Sequence, residues 1–292
     1  MAAPILVISA NSNVGSAAVR HLAKAKIPVR AAVRNLAKAE SLKPLGVELA
    51  YADMDDPKTL AGALNGIETA ILATPADLGL PRLHALFYDA AREHGVKHIV
   101  RVSAMGADPA SPLQLGRMHG EAEKALETSG IAWTHLRPQH FMQNFFAQLG
   151  AILTQGKIFY CAGKGRLAFV DARDVGAVAA ACATSPGHEG KVYDVTGPEA
   201  ITYATVAAKI AERMDRKVEY VDLPADAAAQ GMIASGMPEW LAKDLAMLGQ
   251  FAAEGKASAA SSVVRDITGR EANSFDQFLD DHAHIFSPSP GR

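Results

Sequence analysis

Apolar and polar positions alternate in a regular rhythm over the first half of the chain. Short, mostly apolar runs predict strands at Ile5 to Ile8, Pro28 to Val33, Val47 to Tyr51, Thr69 to Ala73, His98 to Val102 and Trp133 to Leu136. Between them, apolar residues spaced three and four apart predict helices at Val14 to Lys24, Leu36 to Leu42, Pro57 to Leu64, Leu83 to Glu93 and Gly116 to Thr128. Strands that each hand over to a helix call for a parallel sheet covered on both faces. Right-handed crossovers then give the fold class: α/β, a doubly wound parallel sheet of Rossmann type.

After residue 137 the rhythm breaks. PQHFMQNFFAQLGAILTQG predicts one helix with a wide apolar face, and KIFYCAGKGRLAFV two strands joined by a Gly-rich hairpin. A helix over DARDVGAVAAACAT, a strand at KVYDVTG and a helix after an N-cap Thr202 follow. Pro224 to about Lys256 is helical and rich in Ala and Met, and SFDQFLDDHAHIF closes as a short helix. The tail SPSPGR lacks any such pattern and predicts a loose end. The C-terminal part thus predicts a smaller α+β lobe, with no repeat and no low-complexity linker.

Composition narrows the function classes. Among 292 residues, 29 Lys and Arg against 31 Asp and Glu give no basic footprint for nucleic acid. Two cysteines, Cys161 and Cys182, are too few for a disulfide framework and predict buried thiols in a reducing compartment. No run approaches the roughly 18 apolar residues of a membrane span, and the N-terminus has no basic segment ahead of an apolar one. These features predict a cytoplasmic protein without membrane or nucleic-acid partners. The sequence does not fix the oligomeric state, and a homodimer is compatible with it.

The stretch ILVISANSNVGSAAVRHL carries the first chemistry. A strand, a short polar turn and a helix place a helix N-terminus at the carboxyl edge of the sheet, where free N–H groups and the dipole attract phosphate. The usual turn has three glycines: for the tight turn, for close approach to a pyrophosphate, and for helix–strand packing. Here those places hold Ser9, Ser12 and Gly15. A left-handed backbone at either serine costs about 1–2 kcal/mol. The Ser12 hydroxyl offers a donor to a phosphate, and Asn11 and Asn13 tolerate positive φ and cap helices well. The loop alone leaves two outcomes open, a working dinucleotide turn with side-chain donors or a nucleotide fold that has lost its nucleotide.

Taken together with VRAAVRNLAKAESL, GVELAYADMDDPKTL, EHGVKHIVRVSAMGA, HGEAEKALETSGIAWTHLRPQHFMQNF, VDARDVGAVAAA and VYDVTGPEAITYATVA, this stretch resembles the NmrA-like group of atypical short-chain dehydrogenases. The group includes NADPH-dependent quinone reductases, triphenylmethane dye reductases, plant phenylpropanoid reductases, and a regulator that binds dinucleotides without turning them over. The likeness spans nearly the whole chain and departs at Ser9 and Ser12. It implies a single domain over 1–292, with 1–137 a dinucleotide-binding core and 138–292 mostly a substrate-cleft lobe from which some strands return to the core. It implies a cofactor site at Ser9, Asn11, Ser12, Asn13, Val14 and Gly15, with Arg34 beside the 2′-phosphate, Asp53 near the adenine, and Ala73, Thr74 and Pro75 along the nicotinamide ribose. With Arg34 and no acid at the end of the second strand, NADP(H) is favoured and NAD(H) stays open. The plainer alternatives are a solvated Arg34, a helix-capping Asp53 ahead of Pro57, and a turn-forming Thr74-Pro75.

Short-chain dehydrogenases typically pair a Ser with Tyr-x-x-x-Lys. Tyr160 and Lys164 have that spacing, but they fall in the expected hairpin, where they share no helix face. The resemblance instead puts His119 near the place of that Tyr. Glu123, four residues on, shares its helix face, so His119 is a candidate acid oriented by Glu123, or else a surface His with an ordinary salt partner. Ser103 matches the Ser of the group's Ser-Ser-x-Gly near the nicotinamide, with Ala104 in second place; otherwise it caps a strand end. A quinone or cationic dye takes hydride into a delocalised system and needs little acid help, so positioning supplies most of the catalysis. Met105, Gly106, His140, Phe141, Asn144 and Phe145 are candidates for the wall around a small hydrophobic or aromatic substrate, with Met232 and Met237 mostly core. Histidines are scattered with no zinc spacing, so no metal is expected. Two functions stay open: an NAD(P)H-dependent reductase of a conjugated acceptor such as a quinone, and a dinucleotide-binding redox sensor without turnover. A third, cofactor-free chemistry in the same cleft, has only the two serines behind it.

Overall fold

In the computed structural model, which describes residues 3–286, the first half alternates as β1 (Ile5–Ile8), α1 (Asn13–Lys24), β2 (Val29–Val33), β3 (Glu48–Tyr51), α2 (Pro57–Leu64), β4 (Thr69–Leu72), α3 (Leu80–Glu93), β5 (His98–Val102), α4 (Gln114–Glu127) and β6 (Ala132–Pro138). Between β2 and β3, Leu36–Leu45 winds as a tight 3₁₀ turn where a short helix is expected. Asn35 caps its start, Pro44 interrupts it and Gly46 ends it with φ of 71°. The second half holds α5 (Leu149–Gln155), β7 (Lys157–Tyr160), β8 (Arg166–Leu167), α6 (Ala172–Thr184), β9 (Lys191–Val195), β10 (Ile201–Thr202), α7 (Tyr203–Met214), β11 (Glu219–Asp222), α8 (Ala225–Ala234), α9 (Glu239–Ala253), α10 (Val263–Thr268), α11 (Phe275–Asp281) and α12 (Ala283–Phe286). The tail SPSPGR lies outside the described residues. Among the described residues no helix is long and apolar enough to cross a membrane.

The chain packs as two compact units. The first comprises residues up to Pro138 together with 172–195 and 263–270. Its sheet has seven strands in the order β3-β2-β1-β4-β5-β6-β9, every neighbouring pair parallel. Strands β1 and β5 are buried throughout, as expected of strands covered on both faces. The strand order reverses between β1 and β4, and at such a switch point the loops leaving neighbouring strands diverge and open a crevice at the carboxyl edge. Helix α6 lies close against α1 because both faces are small. A Cβ on Gly176 would stand 2.5 Å from the Cβ of Ala17 and 2.9 Å from the Val14 carbonyl oxygen.

The second unit comprises 139–171, 196–262 and 271 onward. Its core gathers Met142, Phe145, Ile152, Tyr160, Phe169, Tyr203 and Phe275. Two expectations are corrected here. The single helix expected after residue 137 is an extended Phe141 bridged to Val170, a 3₁₀ turn over Met142–Gln148, and then α5. The Met142 N–H is held by the Val170 carbonyl, and Phe145 is locked between Phe169, Tyr203 and Phe275, so aromatic packing sets the turn. The expected hairpin does not form either. Strand β7 pairs in parallel with β11, and β8 antiparallel with β10. Between β7 and β8, Gly165 serves close packing, since a Cβ there would lie 2.1 Å from the Ala252 carbonyl oxygen, and Gly163 turns with φ of 52°. Tyr160 is buried and donates to the Leu245 carbonyl, so its phenol is committed within this core.

Candidate active site

The switch point carries a cleft of about 370 Å³ lined by Ser9, Asn11, Ser12, Arg34, Asn35, Lys38, Asp53, Asp55, Thr74, Pro75 and Asp77. Its first wall is the turn after β1, and the two serines divide the glycine work between them. Ser9 takes the left-handed backbone, with φ of 56°. Ser12 stays extended, with φ of −72°, and caps α1 by accepting from the Gly15 N–H at 3.1 Å. Its own proton goes to the Ala73 carbonyl at 3.1 Å, which ties the first loop to the tip of β4. This corrects two expectations. The Ser12 hydroxyl has no proton left for a phosphate, and neither Asn11 nor Asn13 supplies the cap or the positive φ. Among the described residues the backbone N–H groups of Asn13 and Val14 in the first turn have no partner. Gly15 is required by space, for a Cβ there would lie 2.3 Å from the Ser9 carbonyl oxygen. Of the expected cofactor residues, Asn13, Val14, Gly15 and Ala73 do not line the cleft.

The second wall is the end of β2. Arg34 is exposed and makes no ion pair among the described residues, and Lys38 lies four residues on with its charge equally free. Sequence reading missed Lys38 because a Lys in a short polar helix has no distinguishing signal. Asp53 does not cap α2; Asp56 does, accepting from the Lys58 N–H at 3.2 Å. Asp53 instead closes its own turn on the Asp55 N–H at 3.1 Å and faces the cleft. Asp55 in turn pairs with Arg82. At the tip of β4, Thr74 Oγ1 lies 2.8 Å from His84 Nε2.

Next to this wall, within the same unit, runs a buried polar network. Ser103 directly follows β5, and its hydroxyl donates to Glu123 at 2.5 Å. Arg137 grips both oxygens of that carboxylate, at 3.0 and 2.6 Å. Burial opposes the charge of Glu123, but hydrogen bonds from Arg137 and Ser103 outweigh it and hold the carboxyl below its usual range. His119 shares the helix face with Glu123 yet does not meet it. Its Nδ1 lies 3.0 Å from Arg101 Nη2. The ring is buried, and burial with the Arg101 charge keeps it neutral, well below the ordinary histidine value. So His119 is neither a surface residue nor an acid oriented by Glu123, and it is a neutral imidazole at neutral pH.

One cluster goes against the expectation of scattered histidines. The ligand atoms of Glu123, Glu127 and His135 lie within 4.8 Å of one another, and His135 is fully buried with neither ring nitrogen hydrogen-bonded. Arg137 already occupies both oxygens of Glu123, and the Arg101 guanidinium stands 4.0 Å from one of them. Those two cations cancel the charge a metal ion would need.

The expected substrate residues divide between the units. Met105 and Gly106 follow β5 in the first, and Gly106 turns with φ of 76°. His140, Phe141 and Asn144 belong to the second. Burial pushes the His140 ring down to about 4; Gln139 holds its Nδ1 at 3.0 Å, and its Nε2 is buried without a partner. Phe145 is core, and Met232 packs on the small cluster of Cys161, Ala228, Ala229 and Ala246.

Comparison with known proteins agrees with this geometry. The NmrA-like family matches residues 1–279. An NAD(P)H azoreductase from Xenophilus azovorans is 39% identical over 282 residues, covering 97% of this chain and 99% of its own. The NADPH-dependent quinone oxidoreductase of Escherichia coli in complex with NADPH superposes with a TM-score of 0.85 at 32% identity, covering 95% of this chain and 99% of its own. Triphenylmethane reductase from Citrobacter sp. in complex with NADP(H) gives 0.82 at 28% identity, with 95% and 99% covered.

Proposed function

Since the chain belongs to the NmrA-like family, we propose that it is an NAD(P)H-dependent oxidoreductase that reduces a hydrophobic, conjugated acceptor such as a quinone or an aromatic dye. The observation that carries this reading is the cleft at the switch point. It runs from Ser9, Asn11 and Ser12, in the turn that leads into α1, to the unpaired cations Arg34 and Lys38 after β2. That is a complement for a dinucleotide with a 2′-phosphate: a turn that only Gly15 fits, backbone donors for the pyrophosphate, and Arg34 with Lys38 for the extra phosphate. The bound nicotinamide supplies the hydride.

The protein's part is then to bind, orient and exclude water. Ser12 fixes the turn against β4, Asp53 flanks the adenosine side, and Ser103 presents its oxygen at the end of β5 with its proton held by Glu123. Ser103 commits its proton to Glu123 and His119 is a neutral imidazole, so neither is set up as a strong acid, which suits an acceptor that delocalises the incoming electron pair and is protonated afterwards by water. In this reading Met105 and Gly106 are the substrate-facing candidates of the first unit, and His140, Phe141 and Asn144 those of the second. Both cysteines are free and buried, in keeping with a reducing cytoplasm.

The test is a calorimetric titration with NADPH, NADH and NADP⁺, repeated on Arg34→Ala. Micromolar NADPH binding, weakened about tenfold or more in the variant while NADH changes little, is the expected result. NADPH oxidation over a panel of quinones and azo or triphenylmethane dyes then identifies the acceptor. Binding without turnover of any panel member would favour a non-catalytic redox sensor.

A further inference from the structure

Behind the tip of β4 lies a chain of buried polar groups to which hydride transfer assigns no task. Arg101 has no exposed surface, and His84 is 1% exposed. Arg101 Nε donates to His84 Nδ1 at 3.1 Å, and His84 Nε2 lies 2.8 Å from Thr74 Oγ1. The Tyr88 hydroxyl stands 3.2 Å from the same Nδ1 and donates to the Ala122 carbonyl.

A guanidinium has five N–H donors and no acceptor. The nitrogen of His84 that faces it must therefore carry the lone pair. Burial and the charge of Arg101 keep the ring neutral, so its single proton sits on Nε2. That proton is donated to Thr74 Oγ1. A hydroxyl that accepts from an imidazole keeps its own proton to give away, and among the described residues the Thr74 hydroxyl has no other partner. Thr74 lines the cleft, and Pro75 after it has no N–H, so the hydroxyl is the side-chain donor that this tip can offer.

We propose that His84, locked by Arg101, is a positioning residue that sets the Thr74 hydroxyl as a hydrogen-bond donor into the cleft, toward an acceptor oxygen of the bound dinucleotide. Direction is the point: with the other tautomer, Thr74 would spend its proton on His84 and present only lone pairs to an oxygen-rich ligand. The ligand half of this assignment rests on the dinucleotide reading above.

Two measurements test it. Nitrogen-15 NMR of the labelled full chain, without ligand at neutral pH, reads the tautomer of His84 directly. A protonated Nε2 and a bare Nδ1 are expected; a protonated Nδ1 or an imidazolium overturns the proposal, whether or not NADPH binds. The second is a double-mutant cycle read as the NADPH dissociation constant. Thr74→Val and His84→Leu should each weaken binding by about tenfold, and the double variant should be no weaker than either single one. His84→Gln keeps an acceptor for Arg101 and a donor for Thr74, so it should restore binding to near the parent value. Losses that multiply in the double variant, or a Thr74→Val variant that binds as the parent does, overturn it. If His84→Leu fails to fold because Arg101 loses its acceptor, the Gln variant and the NMR measurement still decide. A parent protein that binds no dinucleotide overturns the reading in the preceding subsection and removes the ligand half of this one, while the tautomer arm still reports the direction of the relay.

Discussion

At the scale of single residues, the two serines show how one side-chain atom redirects a familiar turn. Ser9 sits in the left-handed region, which disfavours any residue with a Cβ. Ser9→Gly should therefore stabilise the protein by up to about 1 kcal/mol, part of the gain being lost to the freer unfolded chain; thermal unfolding of the two proteins checks this. Glu123 makes a pH-dependent contribution. Its folded carboxyl lies below the ordinary value of 4.5, so the stability it contributes is complete above that value and drains away as pH falls through the folded pKa. Acid unfolding curves should show this loss below about pH 4.5, and Glu123→Gln should flatten that limb while loosening Arg137 and Ser103. The His119–Glu123 pairing that helix geometry suggests fails at this scale. Arg101, on the neighbouring strand β5, competes for His119, and Arg137, on β6, competes for Glu123. Sequence spacing measures distance along one helix; it carries nothing about what the facing strands bring.

At the scale of elements, the packing of α6 on α1 makes the sharpest prediction. Gly176→Ala gains about 1 kcal/mol of helix propensity but drives a methyl into Ala17 and the backbone of α1, so a net loss of about 1–3 kcal/mol is expected in denaturant unfolding. Val14, whose carbonyl it would crowd, lies in the first turn of α1, so on the proposed dinucleotide reading NADPH affinity should fall with it. The parallel strands and their helices were legible from the chain alone because each strand is a run buried on both faces and each helix a 3.6-residue stripe. Four of the loops that make the cleft were legible too, since they follow strand ends at a topological reversal. What escaped is what depends on distant partners. Lysine 38 entered through a turn that looked generic, the hairpin dissolved because β7 and β8 found partners far along the chain, and the long helix broke on a bridge from Phe141 to Val170.

At the scale of the molecule, the decisive feature is that the first unit is written in three pieces. Strand β9 and helices α6 and α10 return to it after the chain has begun the second unit. A fragment ending at Pro138 keeps the cleft loops but leaves the hydrogen-bonding edge of β6 bare and uncovers the small-residue face of α1. Such a fragment should sediment as aggregates and show no cooperative unfolding, whereas the full chain should unfold in a clear transition. The same layout sets a clock on synthesis. A ribosome has made every cleft-lining loop by Leu83, yet the sheet gains its seventh strand only when Val195 has emerged, and α10 comes later still. During that interval the nascent chain presents an open strand edge, the form in which chaperones and stray strands compete for it. Translation speed between residues 139 and 195 therefore sets how long that edge of the nascent chain stays uncovered.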